Sequence, residues 1–118
     1  MQTFTVYCHA NNTNGKRYVG ITSQNVKRRW CRGTTYSCNK HFSRAIVKYG
    51  WRGFTHYLLA DNLTKGEACA MEQEFIEKWK CTDREYGYNS TSGGEHFKHS
   101  DDVKKMIEVN IHTMIEMY

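Results

Sequence analysis

Between Lys16 and Arg52 the chain has no aspartate and no glutamate, although Lys16, Arg17, Lys27, Arg28, Arg29, Arg32, Lys40, Arg44, Lys48 and Arg52 all fall there. A stretch so one-sided in charge suits a polyanion such as nucleic acid, and it says more than the formal net charge of +5 does alone. Nothing in the 118 residues approaches the roughly 20 apolar positions of a membrane span. With a mean hydropathy of -0.77, this points to a soluble chain with no membrane partner. The opening residues, Met1 to Tyr7, have neither a basic segment nor an apolar one, so no signal peptide is expected and the cytoplasm is. Also missing is any C-x-x-C pair. The five cysteines (Cys8, Cys31, Cys38, Cys69, Cys81) are scattered and odd in number, which argues against a disulfide framework or a zinc site and for reduced thiols. There are no internal repeats.

What is present is enough apolar and aromatic content for one folded domain. Phe4, Val6, Cys8 and Ala10 alternate with Thr5, Tyr7 and His9, the pattern of a half-buried strand. Asn14-Gly15 is a hairpin signal, and Arg17 to Thr22 is the return strand. Any even-length loop pairs odd positions of the first strand with even positions of the second. Tyr7 and Tyr18 then share one face, and Val6, Cys8, Val19 and Ile21 share the other. A two-residue turn at Asn14-Gly15 offsets the tyrosines along the ladder; a wider loop within Asn11 to Lys16 brings them nearer. Gly20, lacking a side chain, is expected to leave room for a ligand beside them.

Further on, Ser23 to Trp30 reads as a short helix capped near Ser23 or Asn25, and residues 33–39 as loop. Phe42, Ala45, Ile46 and Tyr49 recur at helical spacing before Gly50. Phe54 to Leu59 is a third strand. Thr64 and Glu67 form a capping box for a helix reaching about Trp79. On that helix Ala68, Met71, Phe75, Ile76 and Trp79 make an apolar stripe. Glu72 falls at about 40° from Ala68, inside the stripe. A carboxylate placed there must be paired, protonated or bound to metal. The glycine-rich run 87–94 is expected to be an ordered loop. Ser100 caps a last helix with Val103, Met106 or Ile107, Ile111, Met114 and Tyr118 on one stripe. That helix could pack on its own domain, pair with a second copy, or begin a further segment.

Taken in order, these pieces resemble the GIY-YIG nucleases. Thr5-Val6-Tyr7, then Tyr18-Val19-Gly20, resembles the family's paired motif. Arg29-Trp30, the run Ala45 to Gly50, Glu72, Gly87-Tyr88-Asn89 and Thr91 to Glu95 continue the match. The stretch His99 to Met106 resembles a short motif of the phage- and intron-associated, homing branch. Thr-Val-Tyr in place of Gly-Ile-Tyr keeps the strand and the tyrosine. Homing members often carry a histidine four residues after the arginine; here that position is Gly33, and His9 and His41 are candidates for its task.

The resemblance implies an α+β fold, an α/β sandwich with a small three-stranded, mainly antiparallel sheet flanked by helices. The nuclease domain is expected over 1–95, with a helical extension over 96–118. It also implies a DNA endonuclease, phage-encoded or bacterial, that hydrolyses phosphodiesters with one divalent metal, Mg²⁺ or in its place Mn²⁺. Glu72 would be its sole protein ligand, since Mg²⁺ keeps much of its water. Arg29 would hold the scissile phosphate, pinned by Trp30. Tyr7 would be the base and Tyr18 its partner, with Lys16 as the cation that eases their ionisation. Asn89 would hold the phosphate or the metal side. The hairpin's tyrosine face is expected to meet Arg29, Glu72 and Asn89. Arg17, Lys27, Arg28, Arg32, His41 and Arg44 are expected to contact DNA. The alternatives are a non-catalytic nucleic-acid-binding module and a degenerate interaction domain dimerising through its last helix. A chain this short leaves no separate DNA-reading domain, so specificity would be weak, structure-directed, or supplied by a partner or a further domain.

Overall fold

The computed structural model describes residues 3–90. Expectations for Thr91 to Glu95 and for the 96–118 extension lie outside the described residues. Three strands form one antiparallel sheet: β1 (Phe4–Asn11), β2 (Arg17–Thr22) and β3 (Phe54–Leu63), in the order β2-β1-β3. The helices are α1 (Val26–Trp30), α2 (Lys40–Tyr49) and α3 (Lys65–Lys78). The architecture is the α+β sandwich expected from the sequence.

The β1–β2 hairpin pairs Tyr7 with Gly20, Cys8 with Val19 and His9 with Tyr18. The loop is therefore the wider one, residues 12–15. The Asn11 amide donates to the Lys16 carbonyl at 2.8 Å, and the Gly15 amide donates to the Asn11 carbonyl at 2.8 Å. Of Asn14 and Gly15, only Gly15 takes a positive φ, +76°. Asn14 instead accepts the Lys16 amide on its side chain at 2.9 Å. The tyrosine-bearing face thus presents Tyr7, His9, Tyr18 and Gly20 together.

β1 is not half-buried. Val6, Tyr7, Cys8 and His9 are all fully buried, because both faces of the sheet are covered. On one face, Val6, Cys8, Val19 and Leu63 pack with Ala68, Met71, Phe75 and Ile76 of α3. On the other face lies an aromatic core: Tyr36, Phe42, Phe54 and Tyr88, with Tyr18, Trp30, Tyr49 and Trp51 against it. Aromatic residues look amphipathic in a strand pattern, so alternation alone did not reveal the second layer.

Local chemistry sets the helix boundaries. Asn25 caps α1 by accepting the Lys27 amide, and three successive residues with positive φ, Cys31 (+42°), Arg32 (+54°) and Gly33 (+88°), stop it. Asn39 caps α2 by accepting the Phe42 amide. Thr64 and Glu67 form the reciprocal capping box at the start of α3, at 3.2 and 3.0 Å. β3 runs four residues beyond the expected Leu59, with register shifts against β1 around Val6.

The outer edge of β2 is closed by a segment distant in sequence. The Tyr88 amide donates to the Arg17 carbonyl at 2.9 Å. The Asn89 side chain accepts the Val19 amide at 2.9 Å and donates to the Val19 carbonyl at 2.8 Å. Gly87 permits this approach: a Cβ there would lie 2.4 Å from the Cys81 Cα and 2.7 Å from the Arg17 carbonyl oxygen.

Candidate active site

Tyr7 lies across its strand partner Gly20. A Cβ on Gly20 would stand 2.6 Å from the Tyr7 hydroxyl and 2.7 Å from its Cζ. The space that the glycine opens is therefore filled by Tyr7 itself and not left to a ligand. The consequence is positional: the Tyr7 ring and hydroxyl lie over the edge strand β2.

A file of polar groups runs from that hydroxyl to His56. Tyr7 and Tyr36 hydroxyls are hydrogen-bonded at 3.3 Å. The Tyr36 hydroxyl is 2.8 Å from His9 Nε2, and His9 Nδ1 is 2.8 Å from His56 Nδ1. His56 Nε2 meets the Trp51 carbonyl at 2.9 Å. Trp30 packs edge-on against both Tyr7 (5.5 Å) and His9 (4.9 Å). Burial raises Tyr7, Tyr18 and Tyr36 above the ordinary tyrosine value. Burial, with His56 and Arg29 beside it, holds His9 down at about 2, so this imidazole stays neutral.

Two charges of opposite sign act on the hydroxyls. Arg29, in the last turn of α1, donates from Nη1 to the Thr35 hydroxyl at 2.8 Å, and that hydroxyl donates to the Arg29 carbonyl at 2.6 Å. Its guanidinium stands 4.8 Å from the centre of the Tyr36 ring. Its charge favours ionisation of Tyr7, Tyr18 and Tyr36, against the larger effect of burial, and it also hydrogen-bonds Tyr7. Glu72, only 8% exposed, acts in the opposite sense on Tyr7 and Tyr18. It arrives from α3, the layer on the Val6, Cys8 and Val19 face. Three of the expected residues, Tyr7, Tyr18 and Arg29, thus gather together, and the charge of Glu72 acts on the two tyrosines from α3. Of the three residues expected to meet the tyrosine face, Arg29 and Glu72 act on its hydroxyls, and Asn89 bonds the backbone of Val19.

A family model, the GIY-YIG catalytic domain, matches residues 3–93. The chain belongs to the GIY-YIG nucleases. The chain matches no curated protein and no solved structure. Membership in this nuclease family makes DNA the substrate implied.

In this GIY-YIG domain other expected residues sit elsewhere. Lys16 Nζ lies 6.0 Å from the Tyr88 ring centre, and its charge acts on His41. The Asn89 amide is engaged at both ends by Val19, so its observed work is to hold the β2 edge. Arg17 faces α3: its guanidinium lies 4.5 Å from the Trp79 ring centre, its Nε is buried, and its charge reaches Cys8 and Cys81. Burial nonetheless pushes both thiols up to about 12. Lys27, Arg28, Arg32 and Arg44 are exposed. His41 packs against Tyr88 at 4.9 Å.

Gly33 explains the missing histidine. Its φ is +88°, and a Cβ would stand 2.7 Å from Trp51 and 3.0 Å from Ile46. No side chain fits there. His9, one of the two candidates for that task, does join the tyrosine cluster. Tyr36 and His56 are the residues that sequence reasoning missed. Tyr36 sits in what reads as loop, and His56 in an ordinary strand, so neither carried a signal.

Proposed function

We propose that this chain is a metal-dependent DNA endonuclease that hydrolyses phosphodiesters with a single divalent cation, Mg²⁺ or Mn²⁺. The observation that carries this reading is that the charges of one guanidinium, Arg29, and one nearly buried carboxylate, Glu72, both act on Tyr7 and Tyr18. Among the described residues no three His, Cys, Asp or Glu side chains converge. The donor set therefore fits a hard cation held by Glu72 with water and phosphate oxygens, a mode natural to Mg²⁺. When bound, such a cation supplies Lewis-acid stabilisation of charge on the phosphate and the leaving oxygen.

The chain's own residues do the rest. Arg29 is held by Thr35 in a fixed pose, and its planar fork binds the scissile phosphate. Tyr7 orients the attacking water and accepts its proton; Tyr18 flanks it. Asn89 keeps β2, and with it Tyr18 and Gly20, in register. DNA is met by the layer of α1 and α2. There Lys27, Trp30, Cys31, Arg32, Thr34 and Trp51 line an open pocket of about 500 Å³. Supercoiled plasmid incubated with Mg²⁺ tests the reading. The wild type is expected to nick it, and Glu72→Gln and Arg29→Ala to lose at least about 100-fold in rate, since each removes charge stabilisation of the transition state. Binding of DNA without cleavage, with Mg²⁺ or Mn²⁺, would leave a non-catalytic module instead.

A further inference from the structure

Burial raises Tyr7, so the tyrosinate that a simple base needs is scarce at neutral pH. The file behind Tyr7 resolves this, and its proton positions follow from one fixed acceptor. A backbone carbonyl only accepts, so His56 Nε2, 2.9 Å from the Trp51 carbonyl, carries a proton. If His56 is neutral, its Nδ1 is a bare lone pair. His9 Nδ1, 2.8 Å away, must then be the donor, which leaves His9 Nε2 bare. The Tyr36 hydroxyl must donate to His9 Nε2, and the Tyr7 hydroxyl must donate to Tyr36. The lone pairs of the Tyr7 oxygen are then left to accept, and Arg29, which only donates, acts on that oxygen.

With His9 kept neutral by its burial, the file has one other self-consistent arrangement, in which every bond is reversed. Tyr36 donates to Tyr7, His9 Nε2 donates to Tyr36, and His56 Nδ1 donates to His9 Nδ1. His56 now carries protons on both nitrogens and a positive charge. The two arrangements differ by one proton, taken in at Tyr7 and held at His56.

We propose that Tyr7, Tyr36, His9 and His56 form a proton relay that carries the proton of the attacking water away from the phosphate to His56. This rests on the reading of Tyr7 as the group that takes the water's proton. In the step, a water O–H bond breaks and its proton bonds to the Tyr7 oxygen. The Tyr7 proton passes to Tyr36, the Tyr36 proton to His9 Nε2, and the His9 Nδ1 proton to His56 Nδ1. The water oxygen bonds to phosphorus, the bond to the leaving oxygen breaks, and that oxygen takes a proton from solvent. His56 is half-buried and returns its proton to solvent. No tyrosinate forms, and His9 is never charged, in keeping with its full burial. Burial also holds His56 below the ordinary histidine value, while the Trp51 carbonyl acts the other way, so the imidazole is vacant at neutral pH. The titratable group facing His56 is His9, and the charged group acting on His9 is Arg29. The other neighbours are the rings of Trp30, Trp51 and Phe54.

His56→Gln tests this, because the amide can donate to Trp51 and accept from His9 but takes no proton. Expected are a fall in kcat of about 10²–10⁴, the range of general-base contributions, and loss of the wild type's acid limb, in which the rate falls as pH drops through the His56 pKa. Tyr36→Phe, which cuts the file beside Tyr7, should lose as much. Unchanged kcat and pH profile in both variants overturn the relay. Tyr7→Phe separates the two readings: full activity there sinks Tyr7 as base, whereas loss there with full activity in the other two sinks the relay alone. A readout independent of cleavage is ¹⁵N NMR of the histidines in the wild-type chain. Neutral His56 should be protonated at Nε2 and His9 at Nδ1; His9 protonated at Nε2 beside a neutral His56 contradicts the file.

Discussion

The fate of this site is set by single atoms at two glycines. Gly20 admits the Tyr7 ring, so Gly20→Ala must push that ring aside. We expect the variant to fold with a loss of about 1–3 kcal/mol, the usual cost of overpacking, and to cleave at least about tenfold more slowly; thermal melts and plasmid nicking check the two together. At Gly33 a left-handed backbone and the nearby Trp51 ring forbid a side chain. A histidine at this position should therefore destabilise the domain, which a lower Tm of Gly33→His would show. Tyr7, Tyr18 and Glu72 were legible in the sequence because each stood on a strand or helix whose periodicity aimed it, whereas Arg29 was legible through the family's motif alone. The partners of Lys16 and Asn89 were not legible, because sequence pattern places a backbone and does not tell which group a long or amide side chain finds. Nothing in the sequence tied Asn89 to Val19, 70 residues away.

At the level of elements, every strand and helix from 4 to 79 could be read in advance, with errors at their ends. α1 ends where three residues with positive φ follow, two of them not glycine, and no propensity rule announces that. β3 extends because β1 is long enough to pair with it as far as Leu63. The unforeseen feature was the second core. Phe42 is fully buried, stacked on Tyr18 at 4.6 Å and on His9 at 5.8 Å. Phe42→Ala should cost about 3–5 kcal/mol, measured by urea unfolding. By contrast Thr64→Ala, at the cap of α3, should cost about 1 kcal/mol.

Over the whole molecule the charge is layered. No acidic residue precedes Asp61, so the α1–α2 layer is purely basic, while α3 carries Glu67, Glu72, Glu74 and Glu77. DNA should approach the basic layer. Alanine at Lys27, Arg28, Arg32 or Arg44 should weaken binding and lower the slope of log K against log salt by about 1 for each phosphate contact removed. Acid should destabilise the fold. His9 resists protonation down to about 2, whereas in the unfolded chain it titrates near 6.5. Below that value the unfolded state binds the extra proton, so stability falls with pH by about 1.4 kcal/mol per unit, or about 2 kcal/mol by pH 5. Melts at pH 7.5 and pH 5 check the sign. The closure of β2 by residues 87–89 has a bearing on synthesis. A nascent chain can form the hairpin and even α3 before Asn89 exists, and until then β2 presents unpaired backbone groups ready to pair with another strand. The outermost strand of the catalytic sheet is thus the last to be sealed, and the window for aggregation on the ribosome closes with its arrival.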